Sequence, residues 1–327
     1  MTFKGRAIIR TEGTGDPALA PLTGAARTFY EAEQRLFDHY GLSPTSRYLE
    51  IERPGMRVRV LEVGDGPPVL MLHGGGGFVS LWAPLLAQLK GRRLIAVDRP
   101  GHGLTDVFDY RGVDQHRHAL DFLISVMDAL GLRHTPVIGN SIGGLWSLWF
   151  AMERPELVSG LALVGWPAFL LGTSAPLPMR LLAIRGIGAR MMAGEKPSRD
   201  QARSIFARMG HRDMLDKLPT ELFDCFAAGE AMPGYIRAYQ SLLNGSLRLR
   251  GARPGQGLDH EQLQQVRQPV LLIVGRKDPF TSPETTRRAS GAFERGQFVY
   301  TDGGHLPWLD DTAVCASELT GFLAALD

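Results

Sequence analysis

The stretch Gly139-Asn-Ser-Ile-Gly-Gly144 constrains this chain more than any other part of its sequence. A short apolar run, Val137-Ile138, leads into it, and an apolar stretch with helical character, 145–152, leaves it. We interpret this pattern as a strand, a very tight turn and a helix, with Ser141 at the apex. Glycines stand two residues before and two residues after the serine, where a side chain would collide with the neighbouring strand or helix. The pattern therefore predicts a serine held in strained backbone geometry, the Gly-x-Ser-x-Gly arrangement of a nucleophile elbow.

Apolar runs alternate with helical patterns on both sides of this turn. The runs Pro68–Gly74 and Pro269–Gly275 are continuous, which is typical of strands covered on both faces of a parallel sheet. The alternation stops for about a hundred residues after Trp166, where we predict helical pieces and no clear strand. The sequence thus predicts one α/β domain, at 46–166 and 266–327, interrupted by a helical insertion at 167–265.

The N-terminal extension, 1–45, precedes this domain. We expect irregular chain up to about residue 25 and a short amphipathic helix over 26–40. Alternating residues from Arg47 then predict two antiparallel strands around the turn Arg53-Pro54-Gly55.

Composition excludes several classes of function. Lys and Arg number 36 against 34 Asp and Glu, a formal charge of +2 that creates no field for nucleic acid or for an anionic membrane. The two cysteines, Cys225 and Cys315, lie far apart and are expected to be buried free thiols. No apolar stretch approaches the roughly 20 residues of a membrane span, and the N-terminus lacks the pattern of a signal peptide. We therefore expect a cytoplasmic protein that acts on a small molecule.

A serine nucleophile needs a base and a carboxylate that orients this base. Asp278 follows the buried run at 269–275, and His305 lies in the glycine-rich segment Thr301–Trp308. Because open α/β sheets gather ligands at the carboxyl ends of their strands, we expect both side chains near Ser141. The order Ser141, Asp278, His305 is the serine–acid–histidine order of one class of hydrolytic triad.

The developing oxyanion needs backbone N–H donors. The N–H of Ile142, directly after the serine, is one candidate. The segment His73-Gly-Gly-Gly-Gly77 supplies the other, with Gly75 as first choice and Gly76 as second. Two aromatic residues, Trp166 and Phe78, are candidates for substrate contact.

Several segments together resemble the α/β-hydrolase superfamily. The resemblance covers 47–166 and 268–326, and the insertion is similar to the helical cap of those enzymes. It implies a mostly parallel sheet of about eight strands, with helices on both faces, and a reaction without cofactor or metal. The matching segments are His73-Gly-Gly75, Asp98-Arg-Pro-Gly-His-Gly103, Gly139–Gly143, Gly275-Arg-Lys-Asp278 and Gly304-His-Leu-Pro-Trp308.

A serine at the turn favours a serine hydrolase, and we expect cleavage of a small, largely apolar carboxylic ester through an acyl-enzyme. One alternative is a carbon–carbon bond hydrolase of ring-cleavage products, since Gly-Asn-Ser-Ile-Gly-Gly is similar to the Gly-Asn-Ser-Met-Gly-Gly of that subfamily. The glycine segment departs from it, because 74–77 runs into Phe78 without a Gly-Pro-Gly. A second alternative is a non-catalytic binding protein of the same fold.

Two other patterns point to different chemistry. The run around Gly75 and Gly77, followed by a strand that ends in Asp98, imitates a dinucleotide site, but Ser80 stands where its third glycine belongs. We interpret Asp98 as a strand-end residue that anchors the next turn. His116 and His118 imitate metal ligands, but positions i and i+2 of a helix do not face each other. We expect a solvated helix face there and no metal.

Overall fold

The centre of the molecule is an eight-stranded sheet, in a computed structural model that describes residues 22–194 and 196–327. The irregular chain expected before residue 25 lies largely outside the described residues. The strand order is β1-β2-β4-β3-β5-β6-β9-β10. The strands of this sheet are β1 Thr45–Ile51, β2 Met56–Val63, β3 Pro68–Leu72, β4 Arg93–Val97, β5 Thr135–Gly139, β6 Val158–Val164, β9 Val270–Gly275 and β10 Gly296–Thr301.

Only β2 runs against its neighbours in this sheet. It pairs antiparallel with β1 and with β4, whereas every pairing from β4 to β10 is parallel. Successive residues of a strand point to opposite faces, so Leu70 and Leu72 of β3 join one buried cluster and Val69 and Met71 join the other. This double burial is the reason that the strands form continuous apolar runs in the sequence, and the strand order confirms the predicted mostly parallel sheet of about eight strands.

Helices cover both faces of the sheet. Helix α3, Gln115–Leu130, is capped by the Asp114 side chain and is followed by Gly131 in the left-handed region, and helix α4, Ile142–Glu153, starts directly after Ser141. The helices outside the stretch between β6 and β9 are α1 Gly24–His39, α2 Ala83–Gln88, α3 Gln115–Leu130, α4 Ile142–Glu153, α11 Pro283–Ser290, α12 Pro307–Asp310 and α13 Thr312–Ala324.

The stretch between β6 and β9 is mainly helical, as expected, but it also contains two short strands. Strands β7 Leu247–Arg248 and β8 Gly251–Ala252 pair antiparallel, so the expectation of no strand in this stretch is wrong. Two residues per strand are too few to produce a readable alternation. The helices are α5 Leu177–Leu182, α6 Ile187–Gly194, α7 Arg199–Phe206, α8 Thr220–Glu230, α9 Tyr235–Ser246 and α10 His260–Leu263, with a π-helical turn at Ala207–His211. We call residues 167–265 the cap segment, and its division from the core stays a prediction.

Helix α1 joins the cap segment to the sheet. It packs against α8 on one side, and its Glu33 forms an ion pair with Arg59 of β2 at 3.0 Å on the other. Arg59 also contacts Asp98 at 3.2 Å, and all three side chains are fully buried. Asp98 accepts hydrogen bonds from the Val79 and Leu104 amides at 3.0 and 3.2 Å, which is the anchoring role expected for it.

The two histidines of α3 have different surroundings. His116 is half-buried, but His118 is buried and stacks against Phe108 with ring centroids 4.6 Å apart. The expectation of a solvated helix face is therefore wrong for His118, because this turn of the helix faces the loop after β4. Burial, followed by the charge of Arg99, lowers the pKa of His118 to about 4.

Cys225 and Cys315 are both buried free thiols, as expected. None of the helices within 22–194 and 196–327 combines the length and the hydropathy of a membrane-spanning segment.

Candidate active site

Ser141 occupies the turn between β5 and α4 in a strained conformation. Its φ is 53° and its ψ is −117°, outside the regions that side-chain-bearing residues ordinarily adopt. A Cβ on Gly143 would collide with the Leu72 and His73 carbonyl oxygens, and one on Gly139 would come within 2.8 Å of the next turn of backbone. Both glycines are therefore required by close backbone contact, and the turn presents Ser141 at the carboxyl edge of the sheet.

His305 and Asp278 meet at the same edge, after β10 and β9. The His305 Nδ1 lies 2.8 Å from Asp278 Oδ2, and both side chains are buried. Asp278 Oδ2 also accepts from the Trp166 amide at 3.0 Å, and its Oδ1 accepts from the Phe280 amide at 2.9 Å. Since a carboxylate only accepts, the histidine proton belongs on Nδ1, and Nε2 can accept a proton from a nucleophile.

The loop that carries His305 is also held by its backbone. Three successive amides each have an acceptor: Gly304 donates to Asp310 Oδ2 at 2.9 Å, His305 to the Met209 carbonyl at 2.9 Å, and Leu306 to His211 Nε2 at 3.2 Å. The His211 Nδ1 contacts the same Asp310 oxygen at 2.6 Å. This second Asp–His pair was missed from the sequence, and no signal could have found it, since its members are 99 positions apart.

Asn140 ties the serine turn to the histidine loop. Its Nδ2 donates to the Val164 carbonyl at 2.7 Å and to the His305 carbonyl at 3.2 Å. The residue next to Ser141 is thereby fixed against the residue proposed as base.

The glycine loop 74–77 lies directly over the serine turn. A Cβ on Gly74 would be 3.2 Å from Ser141 Cβ, and one on Gly75 would be 3.5 Å from Ile142 Cγ1. Among the described residues, the amides of Gly75 and Ile142 have no hydrogen-bond acceptor. Their positions leave both N–H groups available to a ligand oxygen, and their role as oxyanion donors stays a prediction. Gly76, the second choice, lies beside the ring of Tyr239.

Two buried histidines support this loop. The His73 Nε2 accepts from the Arg99 amide at 2.9 Å, so its proton is on Nδ1, which donates to the Gly74 carbonyl at 2.8 Å. Burial and then Arg99 hold the pKa of His73 well below its usual range. Both ring nitrogens of His102 face carbonyl oxygens, which favours a cation, but burial and Arg99 lower its pKa to about 3. We take both rings as neutral, because each is buried beside an arginine.

The two aromatic candidates are buried. Trp166 uses its amide to hold Asp278 and its indole N–H to bond Thr173 at 2.9 Å. Phe78 packs against the rings of Phe29 and Tyr235. Their contact with substrate stays a prediction. Tyr239 of α9 is better placed, since its ring lies 3.7 Å from the Cβ position of Gly75.

Within the described residues, no group of three or more His, Cys, Asp or Glu side chains is arranged to hold a metal ion.

Residues 69–318 match the family model described as the alpha/beta hydrolase family. The chain belongs to this family. It is 28% identical over 286 residues to the 2-hydroxy-6-oxo-2,4-heptadienoate hydrolase of Pseudomonas putida. The matched region covers 84% of this chain and 95% of that relative. It is also 28% identical, over 289 residues, to the 2-hydroxymuconate semialdehyde hydrolase of Pseudomonas sp. strain CF600. This match covers 85% of this chain and 94% of that relative.

Solved structures agree with the fold of this hydrolase. Carboxylesterase CesB from Bacillus subtilis superposes with a TM-score of 0.73 at 20% identity, covering 92% of this chain and 99% of that one. The meta-cleavage product hydrolase of Pseudomonas fluorescens IP01 superposes with a TM-score of 0.70 at 20% identity, with coverage of 86% and 98%.

These relatives correct the expected substrate. A 2-hydroxy-6-oxo-dienoate contains no ester bond, so its hydrolysis must break a bond between carbon atoms. The expectation of a carboxylic ester substrate is therefore wrong, and the relatives support the carbon–carbon alternative. The ester expectation relied on the apolar composition of the cap segment and on the frequency of esterases within the superfamily that the chain resembles. Neither distinguishes an oxygen leaving group from a carbon one.

Proposed function

We propose that this hydrolase is a serine-dependent carbon–carbon bond hydrolase of 2-hydroxy-6-oxo-dienoates. The observation that carries the proposal is the near-complete match to relatives named for these substrates, at 84% of this chain and 95% of the first of them. The geometry around Ser141 supports the reaction class, because it joins a strained serine, a His–Asp pair and two amides without acceptors at one edge of the sheet.

The substrate must first change its tautomer. In the dienol, breaking the C5–C6 bond would leave an electron pair in an orbital of a vinyl carbon, where nothing stabilises it. Transfer of the 2-hydroxyl proton to C5 gives a 2,6-diketone with a C3–C4 double bond. The electron pair that C5 then receives is delocalised onto the C2 oxygen. The site therefore acts on a ketone at C6 that has a stabilised carbon leaving group.

Ser141 Oγ then adds to the C6 carbonyl carbon, and its proton passes to His305 Nε2. Asp278, bonded to Nδ1 at 2.8 Å, orients the ring and stabilises the imidazolium. The C6 oxygen becomes an oxyanion and accepts from the Gly75 and Ile142 amides, the latter at the N-terminus of α4.

Collapse of this intermediate breaks the C5–C6 bond. The electron pair moves to the dienolate, and His305 returns its proton, so that a 2-hydroxy-2,4-dienoate leaves. Water, activated by the same histidine, hydrolyses the acyl-enzyme and releases a carboxylic acid. No cofactor enters this sequence of steps.

The test uses 2-hydroxy-6-oxo-2,4-heptadienoate and purified protein. We expect its long-wavelength absorbance to disappear, with one acetate formed for each 2-hydroxypenta-2,4-dienoate. Ser141→Ala should lower kcat at least about 1,000-fold, as loss of a nucleophile does. Ser147→Ala is the matched control, because Ser147 is a buried serine that follows Ser141 in α4 and donates to the Gly143 carbonyl at 2.7 Å. It should stay within about threefold of wild type.

Two outcomes separate the alternatives. Folded wild type that reacts with a fluorophosphonate at Ser141 but leaves the dienoate intact would show a serine hydrolase with a different substrate. Protein that reacts with neither would support the non-catalytic binding protein.

A further inference from the structure

Arg99 is a fully buried cation beneath the glycine loop. Its Nε donates to the His73 carbonyl at 3.1 Å, and its Nη2 donates to the Gly74 and Gly75 carbonyls at 2.8 and 3.2 Å. The guanidinium carbon lies 5.0 Å from the ring centroid of Trp146, in the helix that follows Ser141. Arg99 thus spans the space between the two elements that carry the proposed oxyanion donors.

This charge has no carboxylate partner among the described residues. The carboxylate of the preceding residue, Asp98, is bound to Arg59 and to two amides instead. The Nη1 of Arg99 is buried without a hydrogen-bond partner. A buried charge is costly unless it is compensated, and arginine keeps its proton in proteins. The charge is compensated instead by the three carbonyl oxygens and by the Trp146 ring.

The effect of the Arg99 hydrogen bonds depends on which peptide groups accept them. A peptide group joins one residue's C=O to the next residue's N–H, on opposite sides of a plane. The Gly74 carbonyl therefore belongs to the group that carries the Gly75 N–H, and the Gly75 carbonyl to the group that carries the Gly76 N–H. One Nη2 atom bonds the oxygen ends of both groups. Their N–H ends are the first and second choices for the oxyanion donor.

We propose that Arg99 is the positioning residue of the oxyanion hole, a buried cation that fixes and polarises the peptide groups of Gly75 and Gly76. This proposal rests on the proposed function, since it needs an oxyanion on the opposite side of these groups. The positive charge withdraws electron density through the carbonyl oxygen and strengthens the N–H as a donor. It acts when negative charge develops, and so it stabilises the transition state more than the bound substrate.

The expected effect follows from the distance. One hydrogen bond on each side of a peptide group places the guanidinium about 8 Å from the oxyanion. Coulomb's law with an effective dielectric constant of about 20 then gives a roughly 30-fold contribution to the rate. Loss of this charge should lower kcat and leave KM nearly unchanged.

Two substitutions separate charge from hydrogen bonding. Arg99→Gln keeps an N–H donor for the Gly74 carbonyl but removes the charge, and should lower kcat about 10- to 100-fold. Arg99→Lys keeps the charge without the planar donor group, and should stay within about fivefold of wild type. A merely structural arginine would make both variants equally defective.

Tyr235→Phe is the matched control on the same loop. The Tyr235 hydroxyl donates to the Gly76 carbonyl at 3.0 Å. That peptide group carries the Gly77 N–H, which is already bonded to the Gly74 carbonyl at 3.2 Å. Removing the hydroxyl breaks a bond to the loop without touching an oxyanion donor, so kcat should change less than threefold.

The readouts are kcat and KM on 2-hydroxy-6-oxo-2,4-heptadienoate and the second-order rate of inactivation by a fluorophosphonate, whose phosphoryl oxygen uses the same donors. Thermal melts verify that the compared variants are folded.

A lower kcat in Arg99→Gln, with near-normal rates in Arg99→Lys and Tyr235→Phe, supports the proposal. Equal rates in the two Arg99 variants, or a change confined to KM, would overturn it. If wild type reacts with the fluorophosphonate but not with the dienoate, the proposed substrate is wrong and the inactivation rates alone decide on Arg99. Wild type inert to both overturns both proposals.

Discussion

Asp278→Asn gives the sharpest test of the roles proposed for Asp278 and His305. Both carboxylate oxygens accept hydrogen bonds: Oδ2 from His305 and the Trp166 amide, Oδ1 from the Phe280 amide. An amide has only one acceptor oxygen, so its NH₂ group must face one of these donors. If it faces Phe280, His305 contacts a neutral oxygen. If it faces His305, the ring proton moves to Nε2, the atom that must accept from Ser141.

The magnitude follows from the geometry of this pair. A separation of 2.8 Å between Nδ1 and Oδ2 places the two charge centres about 4 Å apart once the imidazolium forms. At an effective dielectric constant of about 20, this attraction is about 4 kcal/mol. We therefore expect kcat to fall about 1,000-fold. KM should change little, because the side chain of Asp278 is buried beneath the histidine.

Asp310→Asn is the control, because this carboxylate also binds a histidine. In Asp310, Oδ2 accepts from both His211 and the Gly304 amide. The single side-chain oxygen of the asparagine variant can therefore keep both hydrogen bonds. The loss should be less than tenfold. Steady-state kinetics on the dienoate, with unfolding curves for both variants, gives the comparison. If Asp278→Asn kept more than a tenth of the wild-type kcat, or if both variants lost equally, the assignment of Asp278 would be refuted.

The other predictions concern stability. Burial is the largest cause that raises the pKa of Glu33, to about 7 from its ordinary 4.5, so folding favours its protonated form. The stability that Glu33 contributes is thus complete below about pH 4.5 and is lost as the pH rises through about 7, with an upper limit of about 3 kcal/mol. Urea unfolding of wild type and Glu33→Gln across this range should show that difference, and parallel curves would contradict it. Gly143→Ala should destabilise the protein by about 3 kcal/mol or more, because its Cβ meets the Leu72 and His73 carbonyls. A Cβ on Gly144 would lie 3.3 Å from Pro167 Cβ, so Gly144→Ala should lower the free energy of unfolding by less than about 1 kcal/mol in the same assay. A similar loss in Gly143→Ala and Gly144→Ala would contradict the collision at Gly143.

The fold could be predicted because its signals are local. Strands β3 and β9 are buried on both faces, which produces the continuous apolar runs read from the sequence. The turn at Ser141 needs its glycines for contacts within a few residues, and these also leave a pattern in the sequence. The positions of Asp278 and His305 followed from the ends of β9 and β10, because parallel strands bring their carboxyl ends to one edge.

The supporting residues could not be predicted, since their partners are distant in sequence. Arg99 bonds carbonyls 24 to 26 positions away, and Arg59 bonds Glu33 at 26 positions and Asp98 at 39. Nothing local marks which buried polar groups will meet. Asp98 and Arg99 are adjacent in a recognised motif, yet their side chains support different elements.

The failed ester expectation has a structural cause as well. It treated the machinery around Ser141 and the cap segment as separate, so that one would define the mechanism and the other the substrate. The structure joins them. Met209 and His211 of the cap segment hold amides of the His305 loop, and Tyr235 holds the glycine loop.

In this chain, we therefore expect a change in the cap segment to affect the site around Ser141 as well. A cap that moves to fit a different leaving group also moves Met209 and His211, which accept from amides of the His305 loop. Substitutions in the 209–211 turn should then change kcat together with KM, whereas a cap that only encloses substrate would change KM alone. In this chain the cap segment and the His305 loop are linked through the 209–211 turn. Relatives that match the chain over both regions are therefore a better guide to the substrate than the composition of the cap segment alone.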